Sequence, residues 1–514
     1  MAVFLKKYFI NFLFLFLAFA LFQKVIWVKD FFGDRTNYIE ILYNITVKYD
    51  GVKNVPSSFK YFFIKEVIIY PFIMAITWLF LLEKSKSNSI LKNLLQNHRF
   101  NLLKFILSKF YKFLLNYKFY LIIGLCFYLY KLDFLDFFIV NKNLKEHKKL
   151  YQNPHKIKFI EPKNKKNLIL FYTESLEYQI RSFDIQNPIQ KIDDIKGNYI
   201  DDFKHAPATA FSIGGVVSSQ CSLPFYPALS MNLTLLKQNE LLCLSDVLNK
   251  YNYKQVFYIT VPGDFHGFST FKKKHFYEVY DRDKILDEGL PKERLTGWAE
   301  GVQDDDLLNH ALQKIKELHK SKKPFNVTII TTDTHFPYTV SPRCNDRLKE
   351  NLTTNKYYDV SQSEYYKKLL EKGSYFKKLL KAYRCSSQFI YDFFNDLEQS
   401  GVLEDTTVVI MGDHIMSDRN DFTVSKHLDR NVYFKMNNKN KFYRNKINHF
   451  DVAPTILDDM GFLPSNTSNF GFGVSALRDY PNYNEHYTKV MNKRIVSDFL
   501  IHKLLNTSKK GYEN

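Results

Sequence analysis

The chain has no CxxC spacing, no zinc-finger pattern and no RNA-binding aromatic signature, which removes a structural zinc knuckle and the common nucleic-acid modules. No internal repeat is visible, and the one low-complexity tract is the polar tail after Leu505. No small-residue cleavage site follows the first apolar run, an absence that argues against a removed signal peptide. Acidic side chains are the minority: 53 Asp and Glu stand against 72 Lys and Arg, for a formal net charge of +19. The lysines are spread along the chain among Asp, Asn and Tyr, so nothing marks a nucleic-acid partner. Anionic lipid headgroups suit this charge, and a lysine-rich solvated surface is the plain alternative.

What is present first is apolar. Residues 8 to 28 are almost wholly apolar and long enough to cross a hydrocarbon core of ~30 Å. A second span fits residues 63 to 82, where Pro71 would kink the helix, and a third lies between residues 113 and 140. The stretch 101 to 116 sets Lys104, Lys109 and Lys112 among Phe, Leu and Ile, as an interfacial amphipathic helix would. Between spans two and three, Lys84, Lys86, Lys92, Arg99 and those three lysines face only Glu83, which places that loop on the cytoplasmic side. Three spans then deliver everything after about residue 141 to the outer face of a cell membrane. Cys126 falls in the third span, leaving Cys221, Cys243, Cys344 and Cys385 beyond it. An even set suits an oxidising compartment, with buried free thiols as the alternative; four cysteines allow three pairings, and spacing does not choose among them.

The expected organisation is a transmembrane domain over 1–140 with about three helices, a polar linker over 141–166, a large domain over 167–505 and a polar tail over 506–514. In the large domain, apolar runs at 254 to 260, 325 to 332 and 406 to 411 read as strands, and 307 to 319 and 375 to 399 as helices. That alternation predicts an α/β domain with a largely parallel sheet flanked by helices.

Two apolar runs, 168 to 172 and 408 to 411, stop abruptly at Thr173-Glu174-Ser175 and Gly412-Asp413-His414. Ligands of open α/β sheets gather beyond the carboxyl ends of strands, so Glu174, Asp413 and His414 could converge on one cation with oxygen and nitrogen ligands. A helix N-cap and a surface histidine are the bland readings. Ser212, followed by Ile213-Gly214-Gly215, suits the start of a helix whose N–H groups face an anion, and a coordinated metal would activate it as a nucleophile. An N-cap role is its alternative, and Thr209 competes for the chemistry. His335, after the strand at 325 to 332, could contact a phosphate or protonate a leaving alkoxide. Arg430 could grip a phosphate in bidentate fashion or pair with Asp429.

Together these segments resemble a known family. TESLE at 173 to 177, the stretch 206 to 224, DTHFP at 333 to 337, GDH at 412 to 414, DRN at 429 to 431 and HFDVAPTIL at 449 to 457 occur in the order of the membrane-anchored phosphoglycerol transferases. These are relatives of lipoteichoic acid synthase within the sulfatase and alkaline phosphatase superfamily, and the resemblance covers roughly residues 167 to 460. It implies a sulfatase-like catalytic domain, with Glu174, Asp413, His414 and Ser212 as ligands of Mn²⁺, Mg²⁺ or Zn²⁺, Ser212 as nucleophile and His335 on the substrate phosphate. It also implies disulfides Cys221–Cys243 and Cys344–Cys385, phosphatidylglycerol or another phospholipid as donor, and a glycan acceptor.

Most of the family has threonine in a Gly-rich GxGWT context where this chain has Ala208-Thr209-Ala210-Phe211-Ser212, which keeps Thr209 in play. An arginine that some relatives place in the loop at 262 to 267 is absent, with His266 and Lys272 as replacements for substrate binding. A phosphoethanolamine transferase would share the fold and metal. A sulfatase activity would need the C/S-x-P-x-R pattern, which both Ser212-Ile213-Gly214 and Cys221-Ser222-Leu223 lack. A catalytically inactive membrane scaffold is the remaining rival, opposed by the presence of all three metal-ligand candidates.

Overall fold

The structure, a computed structural model, describes residues 2–32, 64–87, 117–131, 149–182, 187–225, 241–263, 268–275, 277–344, 374–416, 430–438 and 441–491. The chain divides into two compact units: Met1–Ile41 with Val55–Val140, and Leu42–Asn54 with Asn141–Asn514.

The first unit contains helices α1 (Ala2–Phe32), α2 (Tyr70–Ser87) and α3 (Tyr117–Lys131), with a π-helical turn, Ile64–Ile69, running into α2. Their seams are aromatic: Phe12 meets Phe72 edge-on at 5.4 Å, and Phe22 stacks on Phe127 at 4.2 Å. At Gly124 a Cβ would fall 2.9 Å from the Ala18 carbonyl oxygen, so this glycine sets the close approach of α3 to α1. The outward faces are apolar too, with Phe9, Phe80 and Ile122 more than half exposed. Among the described residues, Ile64–Leu81 is the one helical stretch long and apolar enough to cross a membrane, and Tyr8–Gln23 is a shorter apolar one. The amphipathic stretch expected over 101 to 116 lies outside the described residues.

The second unit is built on seven strands: β1 (Asn167–Thr173), β2 (Asn198–Tyr199), β4 (Lys254–Ile259), β5 (Glu278–Tyr280), β6 (Phe325–Ile330), β7 (Thr406–Gly412) and β8 (Phe434–Met436). Their order is β2-β8-β7-β1-β6-β4-β5. β1 pairs in parallel with β6 and β7, β4 with β5 and β6, while β8 is antiparallel to β7 and β2. Central β1, β6 and β7 are buried along their whole length, the continuous apolar pattern of a sheet covered on both faces. Two small sheets pair β3 (Asp202–Lys204) with β9 (Lys446–Asn448) and β10 (Asn469–Phe470) with β11 (Gly473–Val474).

Helices α5 (Asp304–Lys320) and α6 (Ser374–Gln399) cover one face, α4 (Ser212–Cys221) lies against the other, and α7 (Val452–Asp459) follows β9. Helix α5 carries Leu307, Leu308, Ala311, Leu312, Ile315 and Leu318 on one stripe, packed with alternate residues Ile169, Phe171, Val327, Ile329, Val408 and Ile410 of the sheet. Full burial of each such aliphatic side chain contributes roughly 1.5–3 kcal/mol. On the opposite face the Tyr172 hydroxyl bonds Ser219 Oγ of α4 at 2.6 Å.

The strands and helices expected at 254 to 260, 325 to 332, 406 to 411, 307 to 319 and 375 to 399 all form, within a few residues of their limits. The stretch expected as a linker is described from residue 149, and there it is packed against the domain. Gln152 exchanges backbone hydrogen bonds with Gly471, and the Ile160 N–H donates to the Phe462 carbonyl at 2.9 Å. Disulfides join Cys221 to Cys243 and Cys344 to Cys385.

Candidate active site

Parallel, in-register pairing of β1 and β7 sets Thr173 opposite Gly412, so the next residues, Glu174 and Asp413, emerge side by side from the carboxyl edge of the sheet. Gly412 is required there: a Cβ would lie 2.1 Å from the Leu176 carbonyl oxygen. Ser175 takes a left-handed turn, φ 55°. In that turn its N–H donates to Asp413 Oδ1 at 2.8 Å and its hydroxyl to Glu174 Oε1 at 2.7 Å. The Ser175 carbonyl accepts from Tyr383 of α6 at 2.7 Å, and the Glu174 carbonyl from the Thr334 hydroxyl at 2.7 Å.

Ser212 is the first residue of α4 and is half-buried. Its hydroxyl donates to Glu174 Oε2 at 2.9 Å and lies 3.5 Å from His414 Nε2. His414 Nε2 is in turn 3.3 Å from Glu174 Oε1 and 3.6 Å from Asp413 Oδ2. Thr209 is placed otherwise: it is fully buried, with its hydroxyl donated to the Ala206 carbonyl at 2.7 Å. Helix α4 approaches the strand end through its glycines. A Cβ on Gly215 would fall 1.9 Å from the Asp413 carbonyl oxygen, and one on Gly214 2.3 Å from that of Ala208.

These donors fit a divalent cation. Four ligands at ~2.1 Å from a tetrahedral metal stand about 3.4 Å apart, close to the spacings among Ser212, Glu174, Asp413 and His414. Asp413 Oδ2 is buried without a hydrogen-bond partner, an atom left open on the side where His414 stands. His414 Nδ1 lies 2.8 Å from the Ile415 carbonyl, which can only accept, so Nδ1 carries a hydrogen and Nε2, turned to the carboxylates, is the nitrogen that would ligate a cation once its own proton is displaced.

Charge tells the same story. Burial pushes the Asp413 carboxyl up, as does neighbouring Glu174, to about 7. Burial also opposes charge on His414, but Asp413 and Glu174 outweigh it and raise the imidazole to about 10. Glu174, although buried, is held well below the usual carboxylate range by His414, with help from His335 and Ser175. A proton on the His414–Asp413 pair thus balances the buried charge, and a bound cation would displace it.

His335 packs against Trp298 with ring centroids 4.0 Å apart and the planes tilted by 43°, and its Nδ1 hydrogen goes to the Phe336 carbonyl at 2.6 Å. Its loop is tied to α5. Asp304 Oδ1 accepts from the N–H groups of Thr332, at 2.8 Å, and Asp333, at 3.2 Å, and the Asp304 N–H donates to Asp333 Oδ2 at 3.2 Å. Burial, then the proximity of other carboxylates, pushes Asp304 up to about 7 and Asp333 well above the ordinary range.

Arg430 differs from the expected phosphate grip. It is buried and engages Glu177 through Nε, at 3.0 Å, and Nη2, while Nη2 also meets the Met416 carbonyl. Glu177 Oε1 further accepts from the Met416 N–H at 2.7 Å. The pair clamps the segments following Glu174 and His414 together, because a fully buried carboxylate requires a fork-shaped cation beside it. Asp429 and His266 lie outside the described residues. Lys272 is fully buried, its ammonium 5.2 Å from the Phe257 ring centre.

Three contributors have roles that the sequence did not assign: Trp298 beside His335, the Glu177–Arg430 clamp, although both residues lie in quoted motifs, and His449, the first residue of the motif at 449 to 457. The last donates from Nε2 to the Asp413 carbonyl at 2.9 Å, and burial pushes it down to about 3, so it stays neutral.

The chain is 27% identical over 333 residues to a phosphoglycerol transferase I of Escherichia coli, covering 62% of this chain and 39% of that protein. It is equally similar, over 332 residues, to a phosphoglycerol transferase I of Salmonella paratyphi B. The chain thus spans 39% of the length of these curated relatives. Among solved structures, the lipoteichoic acid synthase LtaP from Listeria monocytogenes is similar with a TM-score of 0.48 at 18% identity, covering 65% of this chain and 81% of that one. Residues 166–462, more than half of the chain, match the Sulfatase family model, and the chain belongs to that family.

Proposed function

We propose that the protein transfers a phosphoglycerol headgroup from phosphatidylglycerol to the hydroxyl of an extracytoplasmic glycan through a covalent intermediate on Ser212. The observation that carries this reading is the Ser212 hydroxyl, seated at a helix start within hydrogen-bonding distance of Glu174 and His414. Similarity to phosphoglycerol transferases supports the choice of headgroup. The apolar outer faces of α1 to α3 support a membrane location beside a lipid donor, and the excess of Lys and Arg between the second and third spans supports an extracytoplasmic second unit.

Glu174, Ser212, Asp413 and His414 would hold a divalent cation, Mn²⁺ in our reading with Mg²⁺ and Zn²⁺ as alternatives, which when bound would lower the pKa of the serine hydroxyl and neutralise a phosphate oxygen. Ser212 then attacks the phosphorus of the lipid, its proton having gone to solvent. The bond from phosphorus to the diacylglycerol oxygen breaks, and His335 gives that oxygen a proton. In the second half, the same imidazole takes the proton of the acceptor hydroxyl, which attacks phosphorus and releases Ser212. Transfer at phosphorus needs positioning and charge stabilisation more than further functional groups, in keeping with so small a set.

The test is to incubate purified protein and its Ser212→Ala variant with headgroup-labelled phosphatidylglycerol and Mn²⁺. The expected result is diacylglycerol release and labelled protein from the wild type alone. Release by the variant at the wild-type rate would overturn the nucleophile, and label transfer only from phosphatidylethanolamine would replace the donor.

A further inference from the structure

A second group of ligating side chains lies apart from the site just described. Cys221 ends α4, and its disulfide partner Cys243 is the N-cap of the short helix Leu244–Lys250. His275 Nε2 stands 3.8 Å from Cys243 Sγ. The opposite ring nitrogen, Nδ1, lies 2.8 and 3.0 Å from the two oxygens of Asp246. A carboxylate beside a ring nitrogen fixes the tautomer with hydrogen on Nδ1, leaving the Nε2 lone pair directed at the sulfur. Asp246 is itself held, since its Oδ2 accepts from the Cys243 N–H at 2.6 Å. Both cysteines are fully buried and His275 is nearly so.

A carboxylate, an imidazole oriented by it, a sulfur in front of that imidazole and a second sulfur bonded to the first are the parts from which proteins build zinc sites of thiolates and histidine. The ligand atoms of Cys243, Asp246 and His275 already lie within 4.8 Å of one another. In the disulfide neither sulfur is a thiolate, so the array has no metal affinity while Cys221 and Cys243 are joined. We propose that reduction of the Cys221–Cys243 disulfide opens a second metal site, in which Cys221, Cys243 and His275 Nε2 bind Zn²⁺ and Asp246 orients the histidine.

The step balances. A dithiol reductant transfers two electrons and two protons to the disulfide and leaves as its own disulfide; zinc then replaces the two thiol protons, which go to solvent. This site differs in chemistry from the one at Glu174, Asp413 and His414, which contains no sulfur. Its metal would fasten the two segments that the disulfide fastens in the oxidised protein.

Cobalt separates the two sites, because thiolate ligation gives an intense near-ultraviolet charge-transfer band that oxygen and imidazole ligands do not. Full-length protein in detergent, oxidised or reduced with a phosphine, is titrated with Co²⁺ and then with competing Zn²⁺. The band is expected only after reduction, to bleach with Zn²⁺, and to persist in Cys344→Ser/Cys385→Ser protein. It should vanish in Cys221→Ser/Cys243→Ser protein, and His275→Gln should weaken cobalt binding by at least roughly tenfold. Should reduction unfold the protein, cobalt is expected to restore its circular dichroism together with the band. The proposal is overturned if reduced wild type shows no band, if the band survives loss of Cys221 and Cys243, or if His275→Gln binds cobalt as tightly as wild type.

Discussion

The Glu177 carboxylate is fully buried, and Arg430 is its fork-shaped partner. Arg430→Gln keeps much of the volume but leaves that charge unpaired, so a loss of ~3–5 kcal/mol in urea unfolding is expected. A loss below ~1 kcal/mol would place the pair among ordinary surface bridges instead. Neither residue can be recognised as a clamp from the sequence, because they lie 253 positions apart and nothing local ties one to the other. Arg430 beside Asp429 reads equally as a phosphate grip or as a local ion pair. The ligand candidates were legible for the opposite reason. Glu174 and Asp413-His414 each end an apolar run, and a polar group at the end of a buried strand announces itself. Ser212 and Thr209 were not separable in that way, being three residues apart in one polar-small stretch. The α4 backbone turns the Ser212 hydroxyl to Glu174 and the Thr209 hydroxyl to a carbonyl.

Helix α4 and strand β7 touch where Gly215 meets the Asp413 carbonyl, leaving no room for a methyl group. Gly215→Ala must move the helix start or the strand end, and a shift near 1 Å at a reacting group costs about a hundredfold in rate. The expected outcome is that loss in kcat with an unchanged far-ultraviolet circular dichroism spectrum; wild-type turnover would mean the contact relaxes without disturbing Ser212. At the other side of the site, α5 and the His335 loop are joined by Asp304 and Asp333. The folded-state pKa of Asp304, about 7, lies above its unfolded value of ~3.9. Its contribution to stability is therefore complete below about pH 4 and is lost as the pH rises through 7. The melting temperature is expected to fall between about pH 4 and 7, and Asp304→Asn to flatten that slope. An unchanged slope in the variant would assign it to other groups. Element positions came readily from apolar periodicity, as α5 and β6 illustrate. Their hydrogen-bonded corner did not, since nothing local ties Asp304 to the N–H groups of Thr332 and Asp333, 28 and 29 positions away.

For the whole molecule, a ligand that binds only the folded form stabilises it by about 2.7 kcal/mol at a hundredfold excess over its dissociation constant. Chelator treatment is accordingly expected to lower the melting temperature of the wild type, with Mn²⁺ restoring it. Asp413→Asn should respond to neither, and an equal response there would move the metal elsewhere. Three of the proposed metal ligands, Glu174, Asp413 and His414, follow β1 and β7, neighbours in the sheet whose meeting residues, Ser175 and Asp413, lie 238 positions apart. A chain halted before β7 would hold Glu174 and Ser212 but lack Asp413 and His414, half of the proposed ligand set. On the proposed reading, acquisition of the cation then doubles as an assembly check: Ser212 would stay inert until β7 has joined the sheet, however long that pairing takes.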